Sequence, residues 1–409
     1  IIGYLFSGCN HDSCFIWCIR RYNWIRKKAK SMFLKLTGGH VYAPEDMGIQ
    51  DVLMSEGKII QIADHIDFSF PQDYEEIDCT GKTIVPGFFD QHVHILGGGG
   101  ENGFASLIRE LQMTDCIRYG VTSVVGLLGT DAHAKSVPAL IAKTKGLREQ
   151  GISAWCLTGS YAYPSTTLTG SLGTDVAFID EVIGVKIAIS DHRSSQVDRH
   201  ELTRVASEVR TAALLAKKPG VVHMHTGTGK IGYKDVMKIV EESDIPVTQF
   251  RPTHVANQYE DAIAFAKMGG YIDFTSGLDT AETAKILAET LKEIPLRQIT
   301  LSSDSNGSFP KWSVDKKIIG MGIGKMETLY QTIKDLIQIE HVDISTAISI
   351  ITKNVADALE MPQKGRLQTH ADADCVILDE NLDIDGVVAL GKVMMKDKTI
   401  TAKNYYDYE

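Results

Sequence analysis

Between residues 83 and 304 the chain alternates short apolar runs with amphipathic stretches, and this alternation limits the fold more than any other feature. The runs cover 83–92, 121–129, 152–158, 183–190, 220–226, 247–254, 270–276 and 298–304. Amphipathic stretches lie between them, at 104–119, 134–149, 198–216, 233–243, 257–268 and 280–293. Buried strands joined by helices predict an α/β architecture, a (β/α)8 TIM-type barrel. A doubly wound open sheet is the competing arrangement. No GxGxxG follows the first run, and the glycines Gly97 to Gly100 come after two histidines, which does not suit a pyrophosphate cradle.

The ends of the chain have a different texture. Leu34-Lys35-Leu36, Asp51-Val52-Leu53-Met54 and Lys58-Ile59-Ile60-Gln61-Ile62 are short alternating runs broken by turn residues. Ala373–Leu378, Gly386–Leu390 and Lys392–Met395 repeat the pattern near the C-terminus. The expectation is a small β-sandwich domain built from both ends, 32–86 with 361–409, around a barrel of residues 87–360. Residues 1–31 carry six Lys/Arg against Asp12, whereas the whole chain has a net charge of −10. This basic segment is expected to be an extension outside the fold. Its longest apolar stretch, Phe15 to Ile19, is too short to span a bilayer. The acidic balance argues against a nucleic-acid partner. Cys79, Cys116, Cys156 and Cys375 have no CxxC spacing and are expected to be reduced, buried thiols of a cytoplasmic protein.

Chemistry-bearing residues gather where the runs end, the face on which a parallel barrel builds its active site. His92 and His94 close the first run, and side chains at i and i+2 of a strand share a face. His225 ends Val221-Val222-His223-Met224-His225, His254 ends 247–254, and Asp304 ends Ile299-Thr300-Leu301-Ser302-Ser303-Asp304. His223 shares a face with His225 and is expected one layer deeper, as a packing residue. Lys186 lies inside the apolar run Ile183–Ser190. A buried, unpaired ammonium is costly, so Lys186 needs a counter-charge or chemical modification. A neutral lysine there can add CO2 and become a carbamate, an anion able to bridge two metals.

The HxH, the lysine of the fourth run, two later histidines and the aspartate of the eighth resemble the amidohydrolase superfamily with a two-metal site. Five stretches resemble the isoaspartyl dipeptidases within it: Pro86–His94, Gly97–Glu101, Val124–Asp131, Lys186–Ser194 and Leu301–Ser308. The similarity runs from about Met32 to the C-terminus. The resemblance implies hydrolysis of β-aspartyl dipeptides to aspartate and an amino acid. It implies two zinc ions per chain: His92 and His94 on one, His225 and His254 on the other, and N6-carboxylated Lys186 with a hydroxide between them. Asp304 would bind the first zinc and act as general base, and Tyr161 would donate to the developing oxyanion. Glu101 would pair with the substrate α-ammonium, Arg193 and Ser308 would hold a substrate carboxylate, and Thr130 would touch the substrate. A homo-oligomer, an octamer, is also implied.

One position departs from the family. An arginine is usual three residues after the histidine of the sixth run, and this chain has Asn257. Asparagine cannot reproduce a two-pronged charged clamp on a carboxylate. Arg251 is expected to face away from His254 and not to replace it. Asn257 therefore keeps open a different substrate for the same chemistry, as in a cyclic-amide hydrolase or an N-acyl amino acid deacylase. A non-catalytic assembly protein on the same scaffold is a third reading, but such proteins lose ligands, and none is lost here.

Overall fold

The structure is a computed structural model and describes residues 33–67 and 74–407; the expected extension 1–31 lies outside the described residues. The chain first lays down β1 (Phe33–Tyr42), β2 (Asp46–Ser55), β3 (Lys58–Ala63), β4 (Glu75–Asp78) and β5 (Thr83–Pro86). Eight parallel strands follow: β6 (Phe88–Val93), β7 (Val121–Gly126), β8 (Ser153–Gly159), β9 (Val182–Ile189), β10 (Val221–Thr226), β11 (Phe250–Thr253), β12 (Ile272–Thr275) and β13 (Ile299–Ser302). A hairpin of β14 (Ser308–Trp312) and β15 (Ile318–Ile323) projects after the eighth. The chain then returns to the first sheet as β16 (Cys375–Leu378), β17 (Ile384–Ala389), β18 (Lys392–Lys396) and β19 (Thr399–Ile400).

The eight parallel strands run in unbroken order from β6 to β13 and form a nearly closed barrel. Its seam is sewn by single contacts rather than a full ladder. Val93 bridges Ser305, the His94 amide donates to the Ser305 carbonyl at 3.0 Å, and the Ser303 amide donates to the Asp90 carboxylate at 3.2 Å. Helices cover the outside, each by its apolar face. In the helix Arg199–Ala216, Leu202, Val205, Ala206, Val209, Ala212 and Ala213 are buried at three- and four-residue spacing. Asp198 caps its start, accepting from the Glu201 amide while the Glu201 side chain reaches back.

The nine terminal strands form a second sheet, in which β5 lies antiparallel to β16 with Pro86 opposite Cys375. The apolar run 83–92 is thus two strands in two sheets, with Gly87 as the break. The Gly87 amide donates to the Asp374 carbonyl at 2.9 Å, and a Cβ at this position would lie 2.3 Å from Thr122 Oγ1. The amphipathic stretch 104–119 also differs from expectation. Only a short turn at Phe104–Ser106 and the helix Met113–Arg118 form. The Ile108 amide is instead bonded to the Gly98 carbonyl, which holds the segment extended against the glycine loop. Cys79, Cys116, Cys156 and Cys375 are buried free thiols, and no helix among the described residues is long and apolar enough to cross a membrane.

Terminal sheet and barrel are joined through a buried charged cluster. Lys364 Nζ contacts Ser153 Oγ on β8 at 2.5 Å, Asp374 Oδ2 at 2.6 Å and Asp372 Oδ2 at 2.8 Å. Lys58 of β3 reaches the other Asp372 oxygen at 2.5 Å.

Candidate metal centre and substrate cavity

Strand ends set the geometry. His92 and His94 leave β6 with ring centroids 5.7 Å apart. His225 leaves β10, while His254 and Asp304 follow β11 and β13 with φ of 58° and 50°. The left-handed backbone is unusual for residues other than glycine, and strain of this kind collects at functional sites. Ligand atoms of His92, His254 and Asp304 all lie within 4.8 Å of one another. Asp304 Oδ1 is 3.2 Å from His94 Nε2 and 3.4 Å from His92 Nε2. The His225 ring centroid lies 4.6 Å from that of His254. The strand-end residues proposed from the sequence therefore converge, with His92, His254 and Asp304 as the tight nucleus.

Lys186 is fully buried on β9, and its Nζ has no hydrogen-bond partner. Burial lowers its pKa to about 7, against the pull of Asp304 and Asp273. Burial likewise drives the imidazolium forms of His92 and His254 far down and that of His225 to about 4. Neutral imidazoles, a carboxylate and an uncharged amine are the states in which these groups can ligate a metal or add CO2. The donor set and the orphaned amine fit a two-metal centre.

His225 has both ring nitrogens engaged. Nε2 lies 2.8 Å from Asp191 Oδ2, and Nδ1 meets the Tyr161 hydroxyl. With the proton of the ring on the Asp191 side, Tyr161 donates to Nδ1. Burial holds the Tyr161 phenol well above its ordinary pKa, so it stays a donor. A metal bound through His225 would take over one of these two bonds.

The centre opens into a cavity of about 920 Å³. On one wall, Glu101 Oε1 accepts from Ser308 Oγ at 2.7 Å, Arg193 Nη1 at 3.1 Å and Thr130 Oγ1 at 3.2 Å. Glu101 Oε2 is buried and has no partner. The glycine loop that presents Glu101 is conformationally obligatory at Gly97, which has φ 74° and would place a Cβ 2.1 Å from the Ile108 carbonyl oxygen. Lys135 fastens the same loop by donating to the Leu96 carbonyl at 2.7 Å. Asp191 fixes Arg193 through Nε at 3.0 Å and Nη2 at 2.8 Å, and the guanidinium also lies over the Tyr161 and Trp312 rings. Burial opposes ionisation of Asp191, but the bonds from His225 and Arg193 hold its carboxyl well below the usual carboxylate range.

Sequence patterning did not give several groups their supporting role. His223 is more than packing: its Nε2 lies 2.8 Å from His92 Nδ1, where it orients a candidate ligand. Its spacing of two from His225 was the available signal. Asp90 ties the His92 amide to Ser303, next to Asp304, and burial raises its pKa to about 7. Asp273 is held by Gln91, Thr300, Thr253 and Ser302 from neighbouring strands. Asn257 lines the cavity and donates to the Thr226 carbonyl at 2.9 Å. Arg251 is buried elsewhere and bonds the Ala358 carbonyl, so it does not replace an arginine at position 257.

The profile of the amidohydrolase family matches residues 83–394. The chain belongs to the amidohydrolase family. Its structure superimposes on the crystal structure of the beta-aspartyl dipeptidase of Fervidobacterium islandicum AW-1 in complex with a beta-Asp-Leu dipeptide. The TM-score is 0.87 at 36% identity, over 91% of this chain and all of that one. Dihydropyrimidinase of Brevibacillus agri NCHU1002 shares the fold at 17% identity and TM-score 0.66, over 91% of this chain and 97% of the other. A dihydroorotase of Listeria monocytogenes is 28% identical over 233 residues, 52% of this chain. The chain spans about half the length of the curated relatives it matches first.

Proposed function

We propose that this amidohydrolase cleaves β-aspartyl dipeptides, releasing aspartate and a second amino acid. The observation that carries the reading is Glu101. Three donors neutralise one of its oxygens, while the other is buried, unpartnered and set in the cavity wall. A buried carboxylate oxygen without a donor is costly, and a substrate ammonium would satisfy it. The likeness to a dipeptidase holding beta-Asp-Leu, at 36% identity over the described fold, supports the same substrate class.

His92, His94, His225, His254, Asp304 and a carboxylated Lys186 would hold two zinc ions. Bound there, they lower the pKa of water and polarise the amide carbonyl. The protein's own part can be followed residue by residue. Asp304, whose carboxyl the nearby His94 holds below its ordinary range although burial opposes it, accepts a proton and carries it to the leaving amine. Tyr161 presents its O–H to the oxygen on which charge develops. Arg193 and Ser308 orient one substrate carboxylate beside Glu101.

The direct test is turnover of β-Asp-Leu by protein supplied with zinc and bicarbonate. A preparation with two zincs per chain and no turnover would remove the dipeptidase reading. Asn257 and the likeness to a dihydroorotase favour one other reading, a cyclic-amide hydrolase using the same centre. Faster turnover of a cyclic amide than of any β-aspartyl dipeptide would establish it instead.

A further inference from the structure

A β-aspartyl dipeptide brings one ammonium and two carboxylates, but the Glu101 wall offers one free anionic oxygen and one guanidinium. That guanidinium is already shared between Asp191 and Glu101. A second cation would match the carboxylate of the leaving amino acid. Besides Arg193, the cavity is lined by two cationic side chains, Lys230 and Lys316. Among the described residues, no carboxylate oxygen lies within 4.0 Å of the Lys230 ammonium.

Lys230 is the better placed of the two because its backbone is fixed. The loop after β10 is clipped on one side to the end of β9, by the Gly229 amide on the Ser190 carbonyl at 2.6 Å and the Gly227 amide on the Ile189 carbonyl at 3.2 Å. On its other side Gln258 Nε2 donates to the carbonyls of Gly227 at 3.2 Å and Gly229 at 2.8 Å. Gly229 is required for this approach, since a Cβ would sit 2.5 Å from the Ser190 carbonyl oxygen. Asn257, next to Gln258, is bonded to Thr226 at the root of the same loop. The loop thus holds the Lys230 backbone beside a neutral amide, with the side chain exposed at the cavity rim. Lys316 sits instead in the turn of the projecting hairpin, where the Ser313–Lys317 contact closes the loop.

We infer that Lys230 receives the carboxylate of the leaving amino acid and selects dipeptides over β-aspartyl amides. The inference rests on the dipeptidase reading above. Kinetics of the zinc-loaded protein on β-Asp-Leu and on β-Asp-leucinamide, which lacks that carboxylate, provide the test. The wild type is expected to favour the acid by about tenfold in kcat/KM, the size of one charge-assisted contact at an exposed site. Lys230→Met should bring the two substrates together through a rise in KM for the acid, and Lys230→Arg should restore the preference. An active wild type whose preference survives Lys230→Met would overturn the role of Lys230 alone. A wild type with two zincs that turns over neither substrate would overturn the dipeptidase reading, and this inference with it.

Discussion

Lys186 and Lys364 are both removed from solvent, yet their surroundings are opposite. Lys364 sits between the terminal sheet and the barrel with a hydroxyl and two carboxylates on its ammonium. Lys186 sits among barrel strands with neutral histidines close by and no hydrogen-bond partner. One lysine is paired with carboxylates and holds two layers together. The other has its ammonium form disfavoured by burial, which favours a nucleophilic amine where a modification could form. Stability and chemistry are thus served by the same residue type in two differently paired settings.

The contrast can be broken most directly at Lys186. Lys186→Met should lower kcat/KM on β-Asp-Leu by at least about a thousandfold, the several kcal/mol that metal assistance supplies. Metal analysis should fall below two zincs per chain, while the melting temperature stays the same or rises. Lys364→Met should do the reverse. Leaving Asp374 buried without its cation, and Asp372 with Lys58 alone, should cost about 3–5 kcal/mol in urea unfolding, while each folded molecule keeps its turnover. A Lys364→Met protein as stable as the wild type would show that the charged junction is ornamental.

A smaller effect is expected at His223, which touches the centre only through His92. His223→Leu should weaken zinc binding by about ten- to a hundredfold, read by competition with a chelator. The smallest effect concerns acid. Burial raises the Asp372 pKa, but Lys364 and Lys58 outweigh it and leave the carboxyl below its ordinary 3.8. The stabilisation this contributes is complete above that ordinary value and is lost as pH falls through the lower, folded one. Asp372→Asn should therefore flatten the fall in melting temperature on acidification. An unchanged slope would remove Asp372 from the acid response.

The sequence was most readable where periodicity speaks. Strand-end histidines and Asp304 could be aligned because a barrel puts its chemistry at one end of its strands, and Lys186 stood out against an apolar run. The site's supports were harder to see, because each depends on a partner across the barrel. Nothing local ties Asp90 to Ser303, Asp191 to His225 or Asp273 to Gln91. The run 83–92 reads as one strand, although the expected domain boundary after Pro86 falls at its break, because both strands are apolar and only the hydrogen-bond partners change. Likewise, amphipathic spacing over 104–119 could not reveal that the glycine loop would claim its backbone groups.

The pairing of β5 with β16 has a consequence for how the molecule comes apart. The polypeptide enters the cylinder just after Pro86 and rejoins Pro86 at Cys375, so this ladder works as a clasp on a belt. Undoing the clasp would free both ends of the whole intervening chain together, with an entropy gain that depends only weakly on its length. Loss of the terminal layer and loosening of the first barrel strand should accordingly be one event, with no long-lived cylinder left standing without its fastening.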